Sequence, residues 1–188
     1  ENLNNIFEKR KFLLGNRPSI ADIGFSGPFF RHFALDPVPL EIIRQKAPYV
    51  LSWVSNLWNA RVSKINNDFE EGIPKDLEPL FREIGKVYLP YLSANVDAVK
   101  QNKTKFDFKF GNVFLKKARY SLYRVWCLKE LRDRYSKLED KKKIQVEILL
   151  KEFGCWEPLW RDKNLPLMDT QEEELPFRAD RKMLGVNE

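Results

Sequence analysis

Residues 12–22, FLLGNRPSIAD, carry the strongest structural signal in this 188-residue sequence. Ser19 and Asp22 stand three residues apart, so the serine hydroxyl and the aspartate carboxylate are each placed to accept the other's backbone N–H group. This pattern is a capping box, with aspartate where glutamate or glutamine is usual, and it predicts a helix that begins here and runs toward Phe33. We interpret Ser19 and Asp22 as structural residues, because the spacing fits a helix cap better than a general base.

The other segments alternate between helical periodicity and breaks at proline or glycine. The spacing of apolar residues predicts helices over residues 3–13, 40–45 and 73–100, one that opens at Pro48, one that starts near residue 112, and one over 141–153. Pro90 should kink or split its helix, and Gly24 and Gly27 predict the close approach of a neighbouring helix. Residues 102–110 alternate loosely and suggest a strand-like connection. Since no convincing strand pattern appears, the predicted fold class is all-α, a helical bundle.

The composition is that of a globular protein, and it argues against a disulfide framework, a Cys/His metal site and a membrane-spanning helix. Apolar residues make up 43% of the chain and charged residues 32%, which excludes a predominantly disordered chain. Two cysteines and one histidine are too few for a disulfide framework or for a metal site built on those residues. No apolar run reaches the roughly 20 residues of a membrane-spanning helix, and we expect a cytoplasmic protein, with an organelle left open.

Positive charge is concentrated in one part of the chain. Residues 100–151 contain 16 Lys and Arg against 6 Asp and Glu, a balance of +10, whereas the whole chain carries +6. Such a block is typical of a nucleic-acid or anionic-membrane surface. Because these lysines are interleaved with a helical apolar stripe, we favour a solvated helical face and keep the binding surface as the alternative.

Residue chemistry by itself predicts no reaction. The sequence contains no phosphate-binding glycine loop, no paired metal-ligand spacing and no nucleophile elbow, so we predict neither a catalytic residue nor a metal ligand. Cys127 lies within a helical apolar stripe, where a buried thiol behaves as a small hydrophobe, and Cys155 has no base nearby in sequence. Arg31 and His32 are able to orient an anionic ligand, although a structural histidine is the more common arrangement.

Several segments resemble a known family. Residues 12–22 resemble the FLxGxxPSxAD segment of the glutathione S-transferase superfamily, where the capping box opens a buried helix of the C-terminal helical domain. Residues 47–54, APYVLSWV, resemble the next helix, so this resemblance covers about residues 3–58. Residues 89–95 and 123–132 resemble the long helical C-terminal extension of a transferase-like branch.

The resemblance implies a helical domain over residues 1–160, in which residues 1–14 are the remnant of a preceding helix, and an extended tail over 161–188. In this superfamily the residue that activates the glutathione thiol lies in an N-terminal thioredoxin-like domain. We expect that domain to be absent from this chain and to be its partner, because the chain starts at Glu1 and the capping box lies close to that start. No catalytic residue therefore carries over. Glutathione is implied as the co-substrate of the intact protein, with no cofactor bound to this chain, and a homodimer is an implied partner.

Two functions follow as expectations. In the first, the chain forms the apolar side of a glutathione-conjugating or thiol-transfer site, and is inactive alone. A small hydrophobic electrophile would bind there through aromatic and cationic side chains, namely Phe29, Phe30, Arg31, Trp53 and Tyr123. The alternative is a non-catalytic module that docks protein or RNA, like the domains of this type that are attached to translation factors. Nucleic acid would then bind the basic block of residues 100–151.

Overall fold

The computed structural model describes residues 1–65 and 69–166, which form two compact units with a boundary between Leu80 and Phe81. Both units are built mainly from helices. Among the described residues, no helix has the length and apolar character needed to cross a bilayer. The predicted domain boundary at residue 160 stays a prediction, and most of the predicted tail, residues 167–188, lies outside the described residues.

The first unit consists of short helices packed around Trp53. They are α1 (Asn2–Phe7), α2 (Ile20–Pro28), α3 (Pro37–Lys46) and α4 (Pro48–Trp58), and α2 continues into a π-helical turn, Phe29–Phe33. The capping box predicted at Ser19 and Asp22 is present, and the helix runs to Phe33 as predicted. Proline stands in the first turn of α3 and of α4, where the backbone N–H groups have no helical acceptor to lose.

The first helix is shorter than predicted. It ends at Phe7 and not at residue 13. Beyond it, the Arg10 guanidinium donates two hydrogen bonds of 2.8 Å to the Asp76 carboxylate and a third, of 2.9 Å, to the carbonyl of Leu13. Gly15 follows with a φ of 133°, a value that favours glycine. These contacts make residues 8–18 a turn that leads into the capping box, instead of a continuation of the helix.

The second unit is also mainly helical. Its helices are α5 (Glu78–Glu83), which crosses the boundary, α6 (Leu89–Lys100), α7 (Leu122–Ser136), α8 (Asp140–Glu152) and α9 (Trp156–Trp160). The helix predicted over residues 73–100 is split, as Pro90 indicated. Residues Ile84–Tyr88 form a π-helical turn before α6, and Pro90 stands in the first turn of α6, where its missing N–H group costs no helical hydrogen bond.

The main correction to the predicted fold is a β-hairpin in the second unit. Strands β1 (Lys105–Phe110) and β2 (Val113–Arg119) pair antiparallel. The predicted helical start near Asn112 is therefore wrong, and helix resumes only at Leu122. The connection is a two-residue Gly111-Asn112 turn, in which Gly111 has a left-handed φ of 52°. The fold is thus mostly helical, with one two-stranded sheet in the described part of the chain.

The hairpin is anchored to α6 by aromatic side chains. A two-stranded sheet is marginally stable in water unless one face packs against another element. Here the rings of Phe106 and Phe108 lie with their centroids 5.7 and 5.3 Å from that of Tyr91, which belongs to α6. The loose alternation of phenylalanines in the sequence is therefore the inner face of a strand.

The core of the second unit lies between α6, α7 and α9. Its buried cluster comprises Leu89, Leu92, Val96, Val125, Leu128, Phe153, Cys155 and Leu159. Gly85 is needed for a close approach, since a Cβ at this position would lie 2.5 Å from the carbonyl oxygen of Gly154. A Cβ at Gly24 or Gly27 would meet no described atom within 4 Å, so the close helix approach predicted there is wrong.

Candidate functional site

Asp22 is the centre of the polar contacts in the first unit. Its fully buried carboxylate accepts hydrogen bonds from the backbone N–H of Leu13 (2.9 Å), from the N–H and hydroxyl of Ser19 (2.8 and 2.6 Å), and from the indole N–H of Trp53 (2.9 Å). The carboxylate also lies in the first turn of α2, where the helix dipole favours negative charge. Three segments of chain converge on these two oxygens, which supports the structural interpretation of Ser19 and Asp22.

Trp53 belongs to the same core. Its side chain is 1% exposed, and its ring stacks on Phe7 with centroids 4.8 Å apart. The ring of Phe29 meets it edge-on at 5.3 Å. The indole N–H of Trp53 is bonded to Asp22, and its ring supports Phe29 from within the core. The predicted contact between Trp53 and a substrate stays a prediction.

The π-helical turn Phe29–Phe33 brings together three of the predicted binding residues. Phe29 and Phe30 are partly buried, and Phe30 packs on Trp58 with ring centroids 5.2 Å apart. Arg31 is exposed and has no ion pair among the described residues, whereas His32 lies 3.6 Å from the carboxylate of Asp36. π-Helical turns are rare and are frequently found at functional sites. This turn therefore presents aromatic rings and a positive charge next to one another.

Tyr123 lies in the second unit, on α7, and so apart in the chain from the π-helical turn. Its ring stacks on that of Trp126, with centroids 5.6 Å apart.

The hydroxyl groups of Tyr123 and Tyr88 both hydrogen-bond the Cys127 thiol. Burial, together with the Cys127 sulfur, raises the pKa of Tyr88 to about 12. Burial also raises the pKa of Cys127, against the opposing effect of these hydrogen bonds. The thiol is therefore protonated at neutral pH and is a poor nucleophile.

An apolar cavity of about 320 Å³ lies in the second unit, and sequence reasoning missed it. Leu131 and Tyr135 line it from α7, at positions i and i+4, and Leu138 lines it from the turn that follows the helix. The Cys155 thiol also faces the cavity, donates a 3.1 Å hydrogen bond to the Phe81 carbonyl, and has its pKa raised by burial. The volume is within the range of small-molecule pockets. The spacing on α7 was visible in the sequence, but only the packing shows that these side chains border a cavity.

No metal centre or catalytic constellation is found in the parts of the chain that the structure describes. No group of three or more His, Cys, Asp or Glu residues is placed to hold a metal ion among residues 1–65 and 69–166. Both thiols have raised pKa values. The described residues can therefore bind and position a molecule, but they offer no activated nucleophile.

Comparison with known proteins links the first unit to one family. The model of the family "Glutathione S-transferase, C-terminal domain" matches residues 1–60. No curated protein and no solved structure matches the chain. The resemblance of residues 89–95 and 123–132 to a C-terminal extension lies outside that match and stays a prediction. Residues 1–60 are thus similar to the C-terminal domain of glutathione S-transferases, the family that residues 12–22 and 47–54 resemble.

Proposed function

We propose that this chain is the C-terminal helical part of a glutathione S-transferase-like protein, and that its first unit forms the apolar side of the acceptor-substrate site. The observation that carries this proposal is the π-helical turn Phe29–Phe33, which follows the capped helix within the segment matched by the family. A small hydrophobic electrophile would bind on this turn. The glutathione thiol would be activated in an N-terminal thioredoxin-like domain, which is the expected partner.

The turn combines a rigid base with an accessible surface. Trp53 packs behind Phe29 from the core, while Trp58, which contacts Phe30, is 75% exposed and Phe33 is 43% exposed. An apolar molecule gains free energy by covering such aromatic surface. The guanidinium of Arg31, which forms no ion pair with a described residue, supplies a positive charge at the edge, which suits the anionic glutathione that must lie beside the electrophile. Tyr123 as a substrate contact and the homodimer stay predictions.

Among residues 1–65 and 69–166 no group is placed to activate a thiol, so the proposal requires the isolated chain to bind an electrophile without catalytic turnover. Cys127 and Cys155 are protonated at neutral pH because burial raises both pKa values. The imidazole of His32 lies beside Asp36 at an exposed position, with neither thiol among its contacts in the described structure. We expect no measurable transfer of glutathione to a generic aromatic electrophile.

A fluorescence titration tests the proposal. The chain is titrated with S-hexylglutathione, an apolar conjugate, while the emission of Trp58 is followed, with Trp58→Phe to assign the signal. Phe33→Ser should weaken binding about tenfold, as expected for the loss of one aromatic side chain from an apolar contact. Phe25→Ser is the matched control, because Phe25 is 39% exposed on α2 but lies outside the turn. Equal losses in the two variants, or glutathione transfer by the isolated chain, would contradict the proposal.

A further inference from the structure

We propose that the β-hairpin binds single-stranded nucleic acid on the face that points away from α6. We call this the outer face of the hairpin, and its side chains are Lys105, Asp107, Lys109, Phe114, Lys116 and Arg119. The proposal concerns the second unit only and does not depend on the function proposed for the first.

Strand register places these side chains together. Burial along β1 alternates strictly, with Lys105, Asp107 and Lys109 exposed and the phenylalanines between them partly covered. Lys105 pairs with Arg119, and Lys109 pairs with Phe114. Residues that pair directly across an antiparallel ladder project on the same face. Lys105 and Lys109 are therefore about 13 Å apart along one strand, each with an exposed partner on the other strand.

The positive charge of the hairpin is not neutralised within the described structure. Residues 103–119 contain six Lys and Arg and one acid, Asp107, a balance of +5. All six cations are exposed, and none forms an ion pair with a described residue. Asp107 is exposed on the same face of β1 as Lys105 and Lys109, and its carboxylate accepts a hydrogen bond from the backbone N–H of Lys117 at 2.7 Å. Unpaired cations at this density attract a polyanion at low ionic strength.

The helical part of the same basic block is different. On α7 and α8 five of the eight cations pair with acids three or four residues away in sequence: Lys129 with Asp133, Arg134 with Glu130, Lys142 with Glu139, Lys143 with Asp140, and Lys151 with Glu147. The prediction of a solvated helical face for residues 100–151 therefore fits these two helices. It does not describe the hairpin, which carries half of the +10 balance of that block.

A basic pocket adjoins the hairpin. It has a volume of about 430 Å³ and is lined by Lys103, Lys105, Asp107 and Lys117 together with the C-terminal end of α6. Asp97, which also lines it, is already paired with Arg161 at 3.2 Å. Lys117 has a left-handed φ of 54° at the bulge in β2, a conformation that bulges use to redirect side chains. The pocket would hold a phosphate of a strand that crosses the outer face.

An exposed aromatic ring favours a nucleic acid over a lipid surface. Phe114 is 48% exposed, and the ammonium of Lys116 lies 5.8 Å from its ring centroid. A base stacks well on such a ring, with phosphates held by the surrounding cations. Membrane-surface binding requires a continuous apolar face, whereas Phe114 is the single apolar side chain of the outer face. A single strand also fits best, because its bases are free to stack.

Fluorescence anisotropy with a labelled 12-nucleotide oligouridylate tests the proposal on the whole chain. We expect binding at 50 mM salt that weakens steeply toward 200 mM, with a log–log slope of about −4 if all six cations meet phosphates. The variant Lys105→Gln/Lys109→Gln/Arg119→Gln should bind at least tenfold more weakly at 50 mM salt, and its slope should be shallower by about 2. The control variant Lys142→Gln/Lys143→Gln/Lys151→Gln has the same net charge and should lose less than threefold.

A second pair of variants tests stacking. Phe114→Leu keeps an apolar side chain but removes the ring, and it should weaken binding about fivefold or more. Tyr49→Leu, a similarly exposed aromatic in the first unit, should have no effect. Circular dichroism checks that each variant keeps its fold. The proposal is overturned by absence of binding at 50 mM salt, by equal losses in the two triple variants, or by binding to phosphatidylserine vesicles without binding to the oligonucleotide.

Discussion

Each unit has a buried charged side chain that joins separate segments, Asp22 in the first and Arg132 in the second, but the two charges are opposite and they join different kinds of segment. In the first unit the Asp22 carboxylate accepts four hydrogen bonds from three segments. In the second, the Arg132 guanidinium donates two hydrogen bonds, of 2.8 and 2.7 Å, to the Leu159 carbonyl and one of 2.7 Å to the Asp162 carbonyl. Asp22 thus satisfies donors at the start of a helix, and Arg132 satisfies carbonyls at the end of one.

The difference teaches how a buried charge is accommodated. Asp22 has no ion-pair partner among the described residues and depends on hydrogen bonds and on the N-terminal end of α2. Burial lowers the pKa of Arg132, and the neighbouring charge of Asp162 opposes that effect. Arg132 also lies over the ring of Trp160, 5.3 Å from its centroid. The carboxylate is therefore held by neutral dipoles alone, and the guanidinium by dipoles, a ring and a nearby opposite charge.

The largest effect is expected when Asp22 is removed. Asp22→Ala leaves the N–H groups of Leu13, Ser19 and Trp53 buried without an acceptor, and we expect a loss of about 3–5 kcal/mol in the free energy of unfolding. Asp22→Asn keeps one acceptor oxygen and should lose less. Hydrogen–deuterium exchange measures this as lost protection in peptides from residues 1–65. Asp36→Ala, at an exposed position, is the control and should stay within about 0.5 kcal/mol of the wild type. A similar small change for Asp22→Ala would show that the carboxylate is not the centre of the unit.

A smaller loss is expected at Arg132, because a carbonyl oxygen that loses one donor is tolerated better than a buried N–H group without an acceptor. Arg132→Gln removes most of the donors to Leu159 and Asp162, and we expect a loss of about 2–4 kcal/mol. Hydrogen–deuterium exchange should show lost protection in α7 and α9. Lys129→Gln, which removes a cation from an exposed pair on the same helix, should have little effect. Equal losses of stability in the two variants would show that the buried hydrogen bonds of Arg132 stabilise the unit no more than an exposed ion pair does.

The two centres also differ in how visible they were in the sequence. The capping box was predicted because Ser19 and Asp22 are three residues apart, so a local rule was sufficient. Its bond to Trp53, 31 residues away, was not predicted. The carbonyls that Arg132 binds follow it by 27 and 30 residues, and no local pattern marks such a contact. Both the bond from Trp53 to Asp22 and the bonds from Arg132 to the carbonyls depend on long-range packing, which a local sequence pattern does not reveal.

The hairpin and the candidate site show the same limit. The Gly111-Asn112 turn between two strand-like runs was a usable hairpin signal, but Lys116 and Lys117 interrupt the apolar alternation of β2 and hid it. Phe29, Phe30 and Arg31 were predicted together and lie together because they are consecutive in sequence. The apolar cavity of the second unit was missed, since it is a gap left between elements that meet only in the folded chain.

The smallest loss of stability is expected at the partly exposed ion pair of Arg10 and Asp76. This pair allows a carboxylate with an ion-pair partner to be compared with Asp22, which has none among the described residues. Hydrogen bonds from the Arg10 guanidinium, with the charges of Arg10 and Lys9, lower the pKa of Asp76 below its ordinary value of 3.8. A carboxyl whose pKa is lower in the folded state stabilises the fold above its ordinary pKa, and this contribution is lost as pH falls toward the folded value.

We expect Asp76→Asn to be about 1–2 kcal/mol less stable than the wild type from pH 7 to 5. Urea unfolding at a series of pH values should show this difference shrinking below about pH 4. The control is Glu41→Gln, which removes an exposed pair with Arg44 and should give a difference within about 0.5 kcal/mol at every pH. A difference for Asp76→Asn that persists unchanged at pH 2 would mean that packing of the side chain, and not the ion pair, stabilises this contact.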